Sequence, residues 1–233
     1  TYISEAPKSL YSIQYVKKKG FSMRIAVFKG GSSEERDVSL RSGAAVAIAL
    51  RTKGHDVAEY DVEWGGKRTL FEAVDTVSAD GTDAVFLALH GGLGENGGVQ
   101  GILEAAGIPY TGSGIMASAA AMDKDVSKAV FRRHGIPTAG WIVLPAGEMN
   151  RERVKDSVGF PCVVKPVDQG STVGLTLVHD PSELPGAVKT AVAIGGRIMA
   201  EAFLPGSELS VPVLGDAADR KSTRLNSSHE SPS

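Results

Sequence analysis

Residues 83–101 have the sequence DAVFLALHGGLGENGGVQG, in which an apolar run ends at His90 and a glycine-rich loop. Such a nearly continuous run is typical of a parallel-sheet strand that is buried on both faces. After the loop, the one-sided spacing of Val99, Ile102, Leu103 and Ala106 predicts a helix. The segment therefore predicts a strand, a polar loop and a helix in series.

The sequence before this segment repeats the same alternation. A strand is predicted at 24–28 (RIAVF) and ends at Gly30-Gly31, and a second strand is predicted at 55–62. Helices are predicted after each strand, the first with an apolar face made of Val38, Ala45, Val46, Ala49 and Leu50. This order predicts a parallel α/β sheet covered by helices, with ligand sites at the carboxyl ends of its strands.

After Pro137 the pattern changes to shorter and more frequent strands. The helices predicted here are 151–157 and 182–193. This pattern predicts a second, α+β unit with a largely antiparallel sheet. Strands are predicted at 141–144, 161–164, 174–178, 197–203 and 209–214.

Composition excludes several classes of protein. The chain has 233 residues and a formal net charge of -2, which gives no electrostatic reason to expect binding to nucleic acid or an acidic membrane surface. No apolar run approaches the roughly 18 residues of a membrane span, and Lys17–Lys19 precede no signal-peptide core. The single cysteine, Cys162, excludes internal disulfides and a cysteine-rich zinc site, and is interpreted as a buried apolar side chain of a strand.

Four segments carry polar side chains that suit ligand binding, and each also has a purely structural interpretation. GGSSEERDVSL (30–40) fits a capped helix or a glutamate that holds a substrate ammonium. The loop after His90 matches G-x-G-x-x-G at Gly92, Gly94 and Gly97, a weak dinucleotide signal because it lies on the third strand. Asp123-Lys124 in 111–128 is an ordinary surface pair when taken alone. PCVVKPVDQGSTVG (161–174) fits a hairpin, or a phosphate loop formed by a lysine, a glycine and two hydroxyls.

Together these strings resemble the D-alanine–D-alanine ligases of the ATP-grasp type. The strings are VFKGGSSEERDVSLRSG, LHGGLGENGGVQGILEAAGIPYTGSGIMASAAAMDK, FPCVVKPVDQGSTVG and EAFLPGSELSVPVLGD, and the resemblance extends from about Met23 to Asp216. It implies an N-terminal α/β domain at 23–135, a central ATP-grasp subdomain at 136–206 and the start of a C-terminal domain at 207–218. Residues 1–22 are expected to be an unstructured, non-native extension. The serine-rich tail 219–233 resembles translated cloning adapter and is expected to be disordered.

The resemblance also implies roles for individual residues. Glu35 matches the glutamate that contacts the ammonium of the first D-alanine, and His90 matches the histidine beside the substrate carboxylate. Ser171 matches a loop serine near the substrates and the phosphates, and the resemblance implies Glu35 and Ser171 as the catalytic residues. The implied ATP-binding residues are Lys124 and Lys165 at the phosphates, Glu201, Phe203 and Leu204 at the adenine, and Glu208 at the ribose. Ala202 departs from the lysine of many relatives, a contact that backbone atoms can replace.

The family reaction joins two D-alanines through an acylphosphate, with ATP and Mg²⁺ or Mn²⁺, for peptidoglycan precursors. The family's metal ligands lie beyond the matched segment, so no metal site is expected in this chain. The C-terminal ATP-grasp domain is expected to be mostly missing, and a protein of these 233 residues alone is expected to be inactive. A D-alanine–D-lactate ligase, a Rossmann dehydrogenase and a nucleotide-binding fragment without activity stay as alternatives. Relatives are cytoplasmic and often homodimeric, which implies the same for the full-length protein.

Overall fold

A computed structural model of the chain describes residues 22–65, 69–170, 172–207, 209–211, 213–214, 217–218 and 224–225. The chain divides into two compact units, Thr1–Ala120 and Ala121–Ser233. The expected extension at 1–22 lies outside the described residues except for Ser22. Of the expected tail at 219–233, only Arg224 and Leu225 are described.

The first unit is a parallel α/β structure, as predicted. Its strands pair in the order β2-β1-β3 among the described residues, and all pairs are parallel. The elements are β1 (Arg24–Gly30), α1 (Arg36–Thr52), β2 (Asp56–Val62), α2 (Thr69–Ala79), β3 (Ala84–Leu87), α3 (Gly98–Ala105) and α4 (Ile115–Met122), which continues past the division.

Helices cover both faces of this sheet. Ala26 and Phe28 of β1 join one buried cluster with the apolar residues of α2 and α3. Val27, the residue between them, packs with Ala47 of α1 in a second cluster, because successive strand side chains point to opposite faces.

The face that α1 buries differs from the predicted one. Ser39, Gly43 and Ala47 are buried, whereas Val38, Ala45 and Ala49 are exposed, so the predicted apolar face was wrong in these three positions. A Cβ at Gly43 would lie 2.5 Å from Lys29 Cβ, which shows how closely α1 approaches β1. Close packing here requires small residues, and these carry little hydrophobic signal.

The second unit contains a four-stranded antiparallel sheet in the order β4-β7-β5-β6 among the described residues, which confirms the predicted α+β character. The elements are α5 (Lys124–Arg133), β4 (Trp141–Leu144), α6 (Arg151–Ser157), β5 (Cys162–Pro166), β6 (Thr176–Val178), α7 (Leu184–Val192), β7 (Ile198–Ala202), and the short strands β8 (Leu209–Ser210), β9 (Val213–Leu214), β10 (Ala217–Ala218) and β11 (Arg224–Leu225). β9 pairs with β10 and β8 with β11, so the described part of the expected tail forms a short strand.

The two faces of the four-stranded sheet differ in chemistry. Cys162 and Val164 of β5 and Ile198 and Ala200 of β7 pack in one apolar cluster with α6 and α7. The intervening positions, which include Lys165 and Glu201, point to the opposite face. Cys162 is fully buried, as predicted, and burial raises the pKa of its thiol to about 11.

α5 belongs to the second unit, although the sequence-based boundary at 135/136 placed it in the first domain. The backbone N–H of Lys124 donates to the carbonyl of Val167, which follows β5. Asp123 caps the helix by accepting from Val126 N, and its carboxylate also pairs with Arg197 at 2.6 Å. These contacts attach the start of α5 to the loop that leaves β5 and to the residue before β7.

Candidate functional site

Two loops of the first unit meet at the carboxyl ends of β1 and β3. Gly30 and Gly31 end β1 with φ of +92° and +89°, a backbone conformation that residues other than glycine rarely adopt. The Ser33 hydroxyl then donates a hydrogen bond of 2.6 Å to the carbonyl of His90. Below this contact, the buried Ser39 hydroxyl accepts from Gly30 N at 2.9 Å and donates to the carbonyl of Ala88 at 2.7 Å. The two strand ends are therefore tied through α1.

Glu35 lies beside the loop that carries His90. It is the N-cap residue of α1, but its carboxylate makes no capping hydrogen bond; the Glu35 N–H instead donates to Ser33 Oγ at 3.2 Å. A Cβ built on Gly91 would lie 2.8 Å from Glu35 Oε2, which shows how closely the carboxylate approaches the loop, and the φ of +68° at Gly91 favours glycine there. The structure thus brings the Glu35 carboxylate next to the His90 loop. Glu35 occupies the N-cap position of α1, but its side chain does not cap the helix.

The His90 ring is oriented by residues on either side of it. Its Nε2 lies 2.9 Å from Ser42 Oγ, and its Nδ1 lies 3.7 Å from Glu95 Oε1. The Ser42 hydroxyl donates to the carbonyl of Val38 at 2.6 Å. A hydroxyl has one proton to donate, so Ser42 accepts from His90, which places a proton on Nε2. Glu95 also accepts from Gly91 N at 2.9 Å and holds the loop.

The G-x-G-x-x-G match has a different local role. Gly92–Gly94 form one turn of 3₁₀ helix, and Gly97, with φ of +94°, precedes α3. The match follows β3, at one side of the three described strands, rather than the central β1. Close packing requires two of its three glycines, since a Cβ at Gly94 would lie 2.6 Å from Leu89 Cβ and one at Gly97 would lie 2.8 Å from the carbonyl oxygen of Ile115.

In the second unit, Lys165 and Glu201 come from neighbouring strands. Glu201 pairs with Val163 in the register of β5 and β7, so Lys165, two residues further along, is its diagonal neighbour on the same face. Lys165 Nζ donates to Glu201 Oε1 at 2.8 Å. Burial opposes ionisation of Glu201, but hydrogen bonds from Lys128 and Lys165 outweigh it, so the pKa of Glu201 is lowered.

Lys124 completes the lysine pair that the sequence predicted. Its ammonium donates to the carbonyls of Val167, at 3.3 Å, and Gln169. Burial, and after it the repulsion from Lys165, lower the pKa of Lys124. Both lysines line a cavity of about 130 Å³, together with Pro166, Gln169, Gly170, Thr172, Val173 and Leu175 of the following loop.

The other predicted ATP residues lie at or after the end of β7. The exposed fractions of Phe203 and Leu204 are 37% and 67%, so both offer apolar surface to a ligand. Ser171 and Glu208 lie outside the described residues, and their roles stay predictions.

Residues that the sequence analysis missed surround the lysine pair. Lys128, Phe131 and Thr138 line a second cavity, of about 380 Å³, which also includes Lys124, Lys165 and Glu201. Lys128 is one helical turn after Lys124, and this i,i+4 spacing was the available signal. Ser42 at His90 was missed as well, because a serine inside a helix has no distinctive pattern.

The described residues do not fit a site for Mg²⁺ or Mn²⁺. Among them, no group of three or more His, Cys, Asp or Glu side chains comes together. Both carboxylate oxygens of Glu201 are bound by lysine ammonium groups, at 2.6 and 2.8 Å.

Within the same described part of the chain, every helix is too short or too polar to cross a bilayer.

Comparison with known proteins gives consistent results. A family profile described as "D-ala D-ala ligase N-terminus" matches residues 65–113, and one described as "D-ala D-ala ligase C-terminus" matches residues 130–230. The D-alanine–D-alanine ligase of Anaeromyxobacter sp. (strain K) is 46% identical over 196 residues, which cover 84% of this chain and 61% of the relative. The chain thus spans about three fifths of the length of this curated relative.

Solved structures are similar to this chain in fold as well as in sequence. The D-alanine–D-alanine ligase from Bacillus anthracis matches with a TM-score of 0.70 and 32% identity, over 88% of this chain and 71% of that one. A structure of the B. anthracis ligase complexed with ATP matches with a TM-score of 0.69 and 33% identity, over 82% and 62% of the two chains. Both profiles, the curated relative and the solved structures agree, and the chain belongs to the D-alanine–D-alanine ligase family.

Proposed function

We propose that this chain supplies the amino-acid-binding and nucleotide-binding parts of a ligase that uses ATP to join two D-alanines for peptidoglycan precursors. The observation that carries the proposal is the convergence of Lys124 and Lys165 on one cavity beside the loop at 166–175. Two ammonium groups next to a glycine-containing loop suit the phosphates of ATP, because positive charge and backbone N–H groups both stabilise phosphate oxygens.

The residues divide the reaction between them. The carboxylate of the first D-alanine attacks the γ-phosphorus of ATP, which gives an acylphosphate and ADP. The amine of the second D-alanine then attacks the acyl carbon, and phosphate leaves. In this proposal Lys124 and Lys165 stabilise the negative charge of the phosphates. Glu35 binds the ammonium of the first D-alanine, His90 lies beside its carboxylate, and Ser171 contacts substrates and phosphates.

The nucleoside is assigned to the end of β7. The Glu201 carboxylate is bound by two lysines, so we assign its adenine contact to the backbone. The exposed Phe203 and Leu204 pack on the base, and Glu208 binds the ribose.

The resemblance also implies Mg²⁺ or Mn²⁺, a cytoplasmic location and a homodimer. No step is assigned to the metal, and sedimentation equilibrium measures the oligomeric state.

The first test is nucleotide binding by this chain, measured by isothermal titration calorimetry with ATP. Lys165→Met should weaken ATP binding by about 10- to 100-fold, the value of one charge-assisted hydrogen bond. The matched control is Lys189→Met, an exposed lysine on α7, which packs on the opposite face of the sheet. ATP binding that is equal in the two variants would contradict the assignment of Lys165.

A second assay separates the alternatives. The chain is incubated with ATP and D-alanine, with or without D-lactate, and mass spectrometry identifies the product. D-alanyl-D-alanine supports the proposed ligase, and a D-alanyl-D-lactate product supports the alternative nucleophile. Nucleotide binding with neither product identifies this chain as a nucleotide-binding part that does not ligate by itself.

A further inference from the structure

Lys128 is a charged side chain in a buried position. Only 8% of its side chain is exposed, although lysine is almost never fully buried without a partner. It lies on α5 one turn after Lys124, so the two side chains share a face of the helix. The family resemblance assigned no role to this residue.

Three partners account for the burial of Lys128. Its ammonium lies 2.6 Å from Glu201 Oε2 and donates to Thr138 Oγ1 at 2.8 Å. It also lies 5.1 Å from the centre of the Trp141 ring, within cation–π range. Trp141 is fixed in turn, because its indole N–H donates to Asp125 Oδ1 at 2.8 Å.

The Glu201 carboxylate is shared between two lysines. Lys128 binds Oε2 and Lys165 binds Oε1, so neither ammonium has the full negative charge to itself. Lys124, Lys128 and Lys165 bring three positive charges to this region; Asp168 and Asp123 act on Lys124, whereas Glu201 is the carboxylate that Lys128 and Lys165 both bind. If Lys128 were neutral, Glu201 would pair with Lys165 alone and cancel most of its charge, because an opposite charge at this distance interacts strongly in a partly buried site.

We propose that Lys128 is a positioning residue for the nucleotide phosphates, which acts by holding Glu201 and thereby leaving the Lys165 ammonium available to phosphate. The inference rests on the proposed nucleotide binding. In this proposal Lys128 and Glu201 act together. The Glu201 carboxylate orients Lys165, and Lys128 prevents that carboxylate from neutralising the charge of Lys165. The ligand group concerned is a polyphosphate.

The test is a double-mutant cycle on ATP and adenosine binding, measured by calorimetry. Lys128→Met should weaken ATP binding by about tenfold, in the range of coupling within one charged network, and change adenosine binding by less than about twofold. In the Glu201→Gln background the same substitution should cost less than about twofold for ATP, because no carboxylate remains to neutralise Lys165. Lys128→Arg, which keeps the charge, should restore ATP binding.

Each other result overturns the inference. An equal loss in both Glu201 backgrounds would mean that Lys128 contacts the phosphates directly. Equal losses for ATP and adenosine would mean a structural role only. Wild-type affinity in Lys128→Met would mean no role at all.

Two controls keep these outcomes separate. If Lys128→Met does not fold, as judged by circular dichroism, Lys128→Gln gives the same comparison, because it keeps an N–H donor without the charge. A wild-type chain that binds no ATP contradicts the proposed function and this inference with it. Normal wild-type binding with an unaffected Lys128 variant contradicts the inference alone.

Discussion

The two units hold their candidate residues by different physical means. In the first, Ser33 and Ser42 orient the His90 loop through hydrogen bonds, and 34% of the His90 side chain is exposed. In the second, Glu201 lies between Lys128 and Lys165, and the three side chains are mostly buried. A neutral hydrogen bond contributes about 1 kcal/mol, whereas breaking a buried charge pair costs several times more. Substitutions at the second site should therefore act on the fold as well as on the ligand.

Replacing Glu201 by alanine should have the largest effect, because Lys128 and Lys165 would lose their shared carboxylate. We expect the free energy of unfolding to fall by about 3 kcal/mol, measured by urea denaturation. The control is Glu152→Gln on the exposed surface of α6, with an expected change below about 0.5 kcal/mol. If the alanine variant is as stable as this control, ion pairing does not hold the second site.

Replacing Ser39 by alanine should have the largest effect on the first unit. Gly30 N and the carbonyl of Ala88 would both lose a buried partner, so we expect a loss of about 2 kcal/mol in the free energy of unfolding. Ser78→Ala on α2 is the matched control, since the hydroxyl of this exposed serine donates to the carbonyl of Val74 in its own helix. A loss above that of the Glu201 variant would reverse the comparison between the units.

The lowered pKa of Lys124 predicts how nucleotide binding depends on pH. Phosphate is attracted only to the protonated amine, so ATP affinity should fall as pH rises through this pKa, earlier than for an ordinary lysine and by at most about tenfold per pH unit. Between the lowered and the ordinary value the unfolded chain holds a proton that the folded chain has lost, so this group's contribution to stability rises with pH.

Calorimetry at several pH values measures the change in ATP affinity. Lys124→Arg is the matched variant, because arginine stays charged throughout this range and should remove the early decline. If ATP affinity declines with pH in the same way in the arginine variant, a group other than Lys124 causes the decline.

Replacing Ser42 by alanine should have the smallest effect. His90 Nε2 would lose its acceptor, so we expect D-alanine binding to weaken by about fivefold, with a change in the His90 ring nitrogen signals in ¹⁵N NMR spectra. Thr52→Ala is the control on the same helix, since its hydroxyl also bonds to the carbonyl four residues earlier. Unchanged nitrogen signals would show that Ser42 does not select the His90 tautomer.

The sequence predicted those features that have a strong periodic signal. The β-α alternation of the first unit and the antiparallel strands of the second are confirmed by the structure. Both could be predicted because apolar residues mark the buried faces of these elements. The buried face of α1 was partly wrong, since Ser39 and Gly43 are buried for a hydrogen bond and for close approach to β1. Hydrophobicity does not report either requirement.

The candidate site was predicted unevenly. Glu35, His90, Lys124 and Lys165 came from family strings. The structure brings Glu35 next to the His90 loop, and it brings Lys124 of α5 and Lys165 of β5 to one cavity. Lys128 was missed because a lysine in a helix is ordinarily solvated, and its burial depends on Trp141 and Glu201, which are distant in sequence. Contacts between residues that are distant in sequence can be recognised only once the fold is known.

Cys162 gives the chain a native probe of its own motion. It is the single cysteine of the sequence, is fully buried in β5, and lies three residues before Lys165. A disulfide reagent can reach this thiol only when β5 separates from the layers that cover it. The rate of thiol modification in the folded protein therefore measures how often the strand that carries Lys165 opens, and the slowing of that rate by ATP would report how far the nucleotide closes it.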